Sequence, residues 1–428
     1  MLDRLRNLQQ ENRPVRVGLV GAGAMGLGIA RQIGITPGME LAFATDLSLP
    51  SAERAARASG QNAAPVAPGR DLARRPGACL FGDDSLAVLT DPAIEFDVLV
   101  EASNSIGPAA RYCRAAIEGA RHVVLMNAEV DLALGPLLQQ EAKRSNVVVT
   151  SDGGDQHGVL KRMIDDILLW GFRIVQAGNI KGFLDRYATA EGLAEEAAKR
   201  YLDPVQCCAY TDGTKLNIEM ALIANGLGLL PARPGMEGPA CADVHEVMTL
   251  FDFDGYGDTG RVDYVLGAEP SGGVYVVGHC DDELQMRYLN YYKLGEGPYY
   301  LFYRPYHLCH FETPRVIAEC ALAQEALLRP DHGRVTDVYA YTKRPVRAGT
   351  SIEHGIGGDH FYGLIDERDN GGRVPITLLE PDDGSRAVVI TNLEKDQPLT
   401  WDDVEIPETY LVRSWREQDL IGDGLHDG

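Results

Sequence analysis

The chain has 428 residues, 45% of them hydrophobic, and a formal net charge of -22. That length divides into two or three domains, each able to bury an ordinary core. The acidity repels polyanions and argues against a nucleic-acid partner, while a local cationic site for a small anion remains compatible with it.

The opening "MLDRLRNLQQENRPVR" is polar and lacks the apolar core of a secretory signal. No later run reaches the roughly 18 apolar residues that a membrane-spanning helix needs. Eight cysteines without CxxC spacing read as free thiols of a reducing compartment, and Cys207-Cys208 is an adjacent pair unsuited to a disulfide. The expected location is cytoplasmic, with no membrane partner.

Residues 15–20 ("VRVGLV") predict a buried parallel strand and 24–34 a helix. "MELAFATD" (39–46) predicts a second strand, and 51–59 a helix. "FDVLVEAS" (96–103), "RHVVLMNAE" (121–129) and "NVVVTSD" (146–152) predict further strands, with the helical "GPAARYCRAAIEGA" between the first two. Strands alternating with helices predict an α/β fold with a Rossmann-type, doubly wound parallel sheet.

Between the first strand and helix, Gly21-Ala22-Gly23-Ala24-Met25-Gly26 matches GxGxxG in the strand-turn-helix setting the motif requires. The first glycine permits the turn, the second lets backbone approach a pyrophosphate, and the third lets helix pack on strand. Amides at the helix start then face the phosphates. Asp46 ends the second strand, where a carboxylate takes ribose hydroxyls. It favours NADH, and Arg54 and Arg57 just beyond offer charge for NADPH. Ser103 and Asn104 follow one strand, and Asn127 and Glu129 the next, near the expected nicotinamide. Glu101 and His122 read as structural.

From about 155 the pattern changes to helices mixed with antiparallel-looking strands such as "GGVYVVGH". "VLKRMIDDILLWGF" has helical spacing. In "YTDGTKLNIEMALIANGLG", Asp212, Lys215 and Glu219 stand three and four apart, which on a helix aligns them on one face. Lys215, oriented by Asp212 and Glu219, is the first choice for the cation that meets a developing alkoxide; Lys181, in the glycine-flanked "AGNIKG" turn, is the second. "NYYKLGEGPYYLFYRPYHLCHFETP" gathers tyrosines with Lys293, Arg304 and His307, suited to an anionic group of a small polar substrate, alongside Asn225. His307-x-x-His310 with Cys309 lacks a suitably spaced carboxylate, so no metal site is assigned. "TPRVIAECALAQEALL" (313–328) predicts an amphipathic helix returning to the first domain. After Pro330 the chain is rich in strands and turns, as in a small separate β domain.

"VGLVGAGAMG", "DVLVEAS", "HVVLMNAEVD", "SDGGDQHG", "AGNIKG", "DGTKLNIEMALIANG" and "GPYYLFYRPYHL" together resemble the deoxyxylulose-phosphate reductoisomerase-like (DRL) oxidoreductases, a family related to homoserine dehydrogenases. The tail, with "RPVRAGTSI" and "KDQPLTWDDVEI", resembles a SAF domain, a small β-clip module. The resemblance implies a dinucleotide-binding domain over 1–152, completed by about 308–330. It further implies a catalytic domain over 153–307 and a SAF-like domain over 331–428. Asp212 and Lys215 look like the Asp and Lys of the homoserine dehydrogenase helix, set one residue closer. Asn127-Ala128-Glu129 stands where those enzymes carry a lysine.

The activity implied is NADPH-dependent reduction or reductoisomerisation of a phosphorylated sugar such as 1-deoxyxylulose 5-phosphate, for isoprenoid precursor synthesis. Asp46 leaves NADH open, and a divalent metal requirement is not specified. The alternatives are a homoserine-type dehydrogenase acting on an unphosphorylated substrate and a non-catalytic nucleotide-binding sensor. A homodimer or higher homo-oligomer is expected.

Overall fold

The computed structural model describes residues 1–66, 77–199, 202–369 and 371–420. It divides into two compact units. One holds Met1–Asp155, Leu308–Arg329 and the helix Tyr410–Leu420; the other holds 156–307 and 330–409. The 331–428 stretch is thus shared between them, and its last eight positions, 421–428, lie outside the described residues.

The first unit is built on seven parallel strands: β1 (Val15–Val20), β2 (Met39–Thr45), β3 (Asn62–Pro65), β4 (Ala78–Gly82), β5 (Val98–Glu101), β6 (His122–Leu125) and β7 (Val149–Ser151). Their order is β3-β4-β2-β1-β5-β6-β7. The central strands β1 and β2 are almost wholly buried, as near-continuous apolar runs require when helices cover both faces of a sheet. From β1 the chain steps outward to β2, then returns to the other side of β1 at β5. That reversal opens a crevice at the carboxyl ends of β1 and β5. This is the Rossmann-type doubly wound sheet expected from the sequence.

Two elements differ from expectation. "RHVVLMNAE" is not one strand: β6 stops at Leu125, and a helix runs Ala128–Ser145. Asn127 starts it as N-cap, its Oδ1 accepting from Val130 N at 3.1 Å. The tail also ends in a helix, Tyr410–Leu420, which packs on Ala128–Ser145. Its Gln418 explains the docking. Pro136 lies inside the Ala128–Ser145 helix and supplies no N–H to it. Leu137 N donates to Gln418 Oε1 (3.3 Å), and Gln418 Nε2 donates to Ala133 O (3.0 Å). Ala133 O and Leu137 N are the two groups that a regular helix would join to each other.

The second unit contains β8 (Arg173–Lys181), β9 (Arg261–Leu266), β10 (Val274–His279) and β11 (Tyr299–Arg304), ordered β11-β10-β8-β9. β10 is antiparallel to both β8 and β11, and β9 is parallel to β8. Tyr275, Val277, Ile180 and Val265 face a core with Val244, Val247, Phe251 and Phe253. The helices Gln156–Leu169 and Thr214–Leu227 pack against each other and against this sheet. Residues 330–409 add the antiparallel pairs β12 (Thr336–Thr342) with β13 (Phe361–Glu367), and β14 (Val388–Val389) with β15 (Val404–Glu405).

Replacing Gln418 by Ala removes both bonds that tie it to the helix turn around Pro136. The expected cost is about 2 kcal/mol, read as a lower urea midpoint at unchanged slope.

Candidate functional site

In the first unit the glycine turn has the geometry its sequence promised, and each glycine has a separate reason. Gly21 has φ +90°, and a Cβ there would lie 2.5 Å from the carbonyl of Ala102 and from Ser103 N, so the turn rests on the chain leaving β5. A Cβ on Gly26 would overlap the carbonyl oxygen of Gly21. A Cβ on Gly23 would meet nothing within 4 Å. The fold itself therefore requires two of these glycines, whereas the third faces open space at the N-terminus of the helix Ala24–Ile35, where a pyrophosphate would sit. Ala24 and Met25 form the first turn of that helix.

Asp46 supports the same turn. Its Oδ2 accepts from Ala22 N and its Oδ1 from Ser48 N, both at 2.8 Å. A carboxylate retains further lone pairs for a ribose hydroxyl. Arg57 is paired with Glu53 at 2.7 Å, and Arg54 donates to Ser51 Oγ at 3.1 Å.

Beyond β5, Ser103 N donates to Glu101 Oε1 (3.1 Å), Ser103 Oγ meets Ser105 Oγ (3.1 Å), and Asn127 Nδ2 donates to Ser105 O (2.7 Å). Asn104 is exposed. Glu101 is wholly buried, with Oε2 lacking a hydrogen-bond partner. Burial raises its carboxyl to about 7, against the lowering pull of Ser103 and Asn127. His122 Nδ1 accepts from Val148 N at 3.0 Å, a structural bond.

The second unit rearranges the predicted catalytic residues. Lys181 is the last residue of β8, not part of a turn. Its Nζ donates to Gln156 Oε1 at 3.2 Å, and Asn179 Nδ2 donates to the same oxygen. Register places Asn179, Val274 and Arg304 in one row across β8, β10 and β11, so Arg304 shares a sheet face with Asn179 and Lys181. Arg304 lies over the Tyr306 ring at 4.6 Å. His307 Nδ1 lies 2.8 Å from Gly272 O, and Gly272 N donates to Ile180 O. Lys181, Arg304 and His307 thus gather at one end of the four-stranded sheet. Gln156 was missed by sequence reading; nothing local marks it, because its partners lie more than twenty positions away.

Lys293 does not join them. It is exposed, in the connection that precedes β11, whereas Arg304 ends that strand. Six strand residues, about 20 Å, separate the two ends. The tyrosine-rich segment is accordingly spread along β11 rather than gathered, and Tyr291 and Tyr292 are exposed.

Asp212, Lys215 and Glu219 do not form one face either. Asp212 precedes the helix, ending Pro204–Thr211, and its carboxylate is taken by Thr214 N (2.8 Å) and Lys343 Nζ (2.8 Å). Burial raises the Asp212 carboxyl and Lys343 draws it back. Lys215 and Glu219 are buried within the helix. Asn225 is no substrate ligand in this arrangement: its Oδ1 accepts from Thr336 N (2.9 Å) and Thr336 Oγ1 (3.1 Å), and its Nδ2 donates to Thr336 O (3.2 Å).

A doubly wound parallel sheet with a glycine turn at its switch point is the architecture of a dinucleotide-binding domain. Residues 154–313 match the family model described as oxidoreductase DRL, catalytic domain. The chain is an NAD(P)-dependent oxidoreductase. No curated protein matches it.

Solved structures with similar folds include a homoserine dehydrogenase from Thiobacillus denitrificans, at 14% identity over 82% of this chain and 90% of that one, with a TM-score of 0.44. A probable dehydrogenase from Thermotoga maritima matches at 12% identity over 62% and 72%, with a TM-score of 0.38. A biliverdin reductase from Synechocystis sp. PCC 6803, solved with biliverdin and NADP+, matches at 20% identity over 41% and 49%, with a TM-score of 0.28. No described helix is long and apolar enough to cross a membrane.

Gly26→Ala should lower stability by about 2 kcal/mol or more through overlap with the Gly21 carbonyl. Gly23→Ala should leave the melting temperature unchanged yet weaken NADH and NADPH binding by roughly tenfold or more, read by calorimetry. A carboxyl whose folded pKa is raised stabilises most below its unfolded value and loses that contribution as pH rises through the folded one. Wild type should therefore lose about 2 kcal/mol more than Glu101→Gln between pH 4.5 and pH 7, measured by denaturant titration.

Proposed function

We propose that the chain reduces the carbonyl of a small anionic substrate, with phosphorylated sugars as the class, using a nucleotide held by the first unit. The observation that supports this most is the gathering of Lys181, Arg304 and His307 at one end of the second unit's sheet, with Gln156 and Asn179 beside them. When bound, a reduced nicotinamide supplies hydride to the carbonyl carbon. The chain's own residues do the rest.

Lys181 takes the role first given to Lys215. It is half-buried and held by the neutral oxygen of Gln156, so its charge is free to neutralise an oxyanion. Asn179, bonded to the same oxygen, fixes the orientation of Gln156 and so the reach of Lys181. Arg304, its guanidinium over the Tyr306 ring, and His307 hold the substrate's anionic group. Lys215 remains a second cation in the helix behind. Asp46 supports NADH over NADPH, because a 2′-phosphate there would meet a carboxylate while Arg57 is already engaged by Glu53.

The test is oxidation of NADH and NADPH against a panel of phosphorylated ketoses and aldoses. Lys181→Met should lower turnover by roughly a hundredfold or more, with nucleotide affinity within about twofold of wild type. Turnover of no phosphorylated member would overturn the substrate class. Turnover of homoserine would replace it with the unphosphorylated alternative.

A further inference from the structure

The helix Thr214–Leu227 is gripped along one side by residues that lie more than a hundred positions later. Asn225 is locked to Thr336, as described. Thr214 Oγ1 accepts from Gly363 N (2.9 Å), and Asn217 Oδ1 accepts from Ile365 N (2.8 Å), so two helix side chains serve as pairing partners for β13. At the head of the helix stands the Asp212–Lys343 pair, with side chains 0% and 2% exposed. Lys343 follows directly on β12. Its ammonium donates to Asp212 Oδ2 (2.8 Å), Ala188 O (2.7 Å) and Gly358 O (2.7 Å), and lies 3.2 Å from Cys208 Sγ.

An ammonium has three protons, and each finds an oxygen here. A charge at this depth is tolerated only with such complete pairing, and removal of either partner strands the other. The contacts at 214, 217 and 225 lie on one stripe of the helix, whereas Lys215 stands about 100° further round from Thr214. Fixing the stripe therefore fixes the azimuth of Lys215.

We propose that Lys343 is a positioning residue: through Asp212 it sets the rotation of the helix that carries Lys215, and Asp212 is its buried counter-ion rather than a proton carrier. The part concerning turnover rests on the reading of Lys215 as a member of the site. The pair makes the 330–409 segment an integral part of the second unit. In Asp212→Asn with Lys343→Met, the asparagine amide keeps an acceptor for Thr214 N and leaves no buried charge unpaired, while the methionine fills the stem's space.

The test uses full-length Lys343→Met and the Asp212→Asn/Lys343→Met pair. Iodoacetamide labelling of Cys208 is read by peptide mass, alongside kcat, KM and nucleotide affinity. Lys343→Met should speed Cys208 labelling by roughly tenfold or more as the head of the helix opens. It should lower kcat by about tenfold with nucleotide affinity unchanged, and the pair should restore protection and most of the turnover.

Wild-type protection in Lys343→Met would overturn the proposal. So would a pair that regains protection without turnover, because Asp212 would then be carrying a proton. If Lys343→Met does not fold, soluble recovery by the pair supports the coupling, and an equally unfolded pair overturns it. If wild type oxidises neither nucleotide with any acceptor, labelling alone decides the clamp, and the oxidoreductase reading of the site is what fails.

Discussion

The close approach of the helix Ala24–Ile35 to the turn after β1 governs the dinucleotide side of this protein. With no side chain at position 26, the helix Ala24–Ile35 can rest against the Gly21 carbonyl. That contact points the helix's free amides at the crevice between β1 and β5. A bulkier residue would lift the helix off the sheet and aim the amides elsewhere. Gly21 then packs against Ala102 and Ser103, so the turn and the loop after β5 form one surface. Asp46 fixes that surface from the other side by accepting from Ala22 N. Gly23 is the position whose missing side chain the fold does not need, since a Cβ there would meet nothing within 4 Å.

The second unit solves a different problem, the holding of lysine side chains in partly or wholly buried places. Two kinds of lysine result. Lys181 sits at a strand end, held by an uncharged amide oxygen, where its charge is available to a ligand. Lys343 is buried and fully occupied, with a carboxylate and two carbonyls consuming its donors. The same residue type is thus reactive in one setting and architectural in the other, and the difference lies in what its protons touch.

Much of the first unit was legible because its signals are local. β1 and β2 are apolar runs broken only by Arg16 and Glu40, and GxGxxG names its own turn. Its helix at Ala128 was also legible in principle: Asn127 caps it, and Glu129 and Asp131 occupy its first turn, but Gly135-Pro136 masked the periodicity. The site in the second unit was legible only in part. Lys293 lies in the exposed connection before β11, whereas Arg304 ends that strand. Asp212 and Lys215 looked like a pair at helical spacing, yet the helix begins after Asp212. Lys343 carried no local signal: its partner Ala188 is 155 positions away, and the contact exists only once the sheet pairs have formed.

The account stands on the claim that the glycine turn cradles a reduced dinucleotide. Isothermal titration of the full-length chain with NADH and NADPH addresses this directly. Saturable one-to-one binding in the micromolar range, tighter for NADH, is the predicted result. Absence of heat from either nucleotide at millimolar concentration would contradict it and remove the basis for every catalytic role assigned to the second unit.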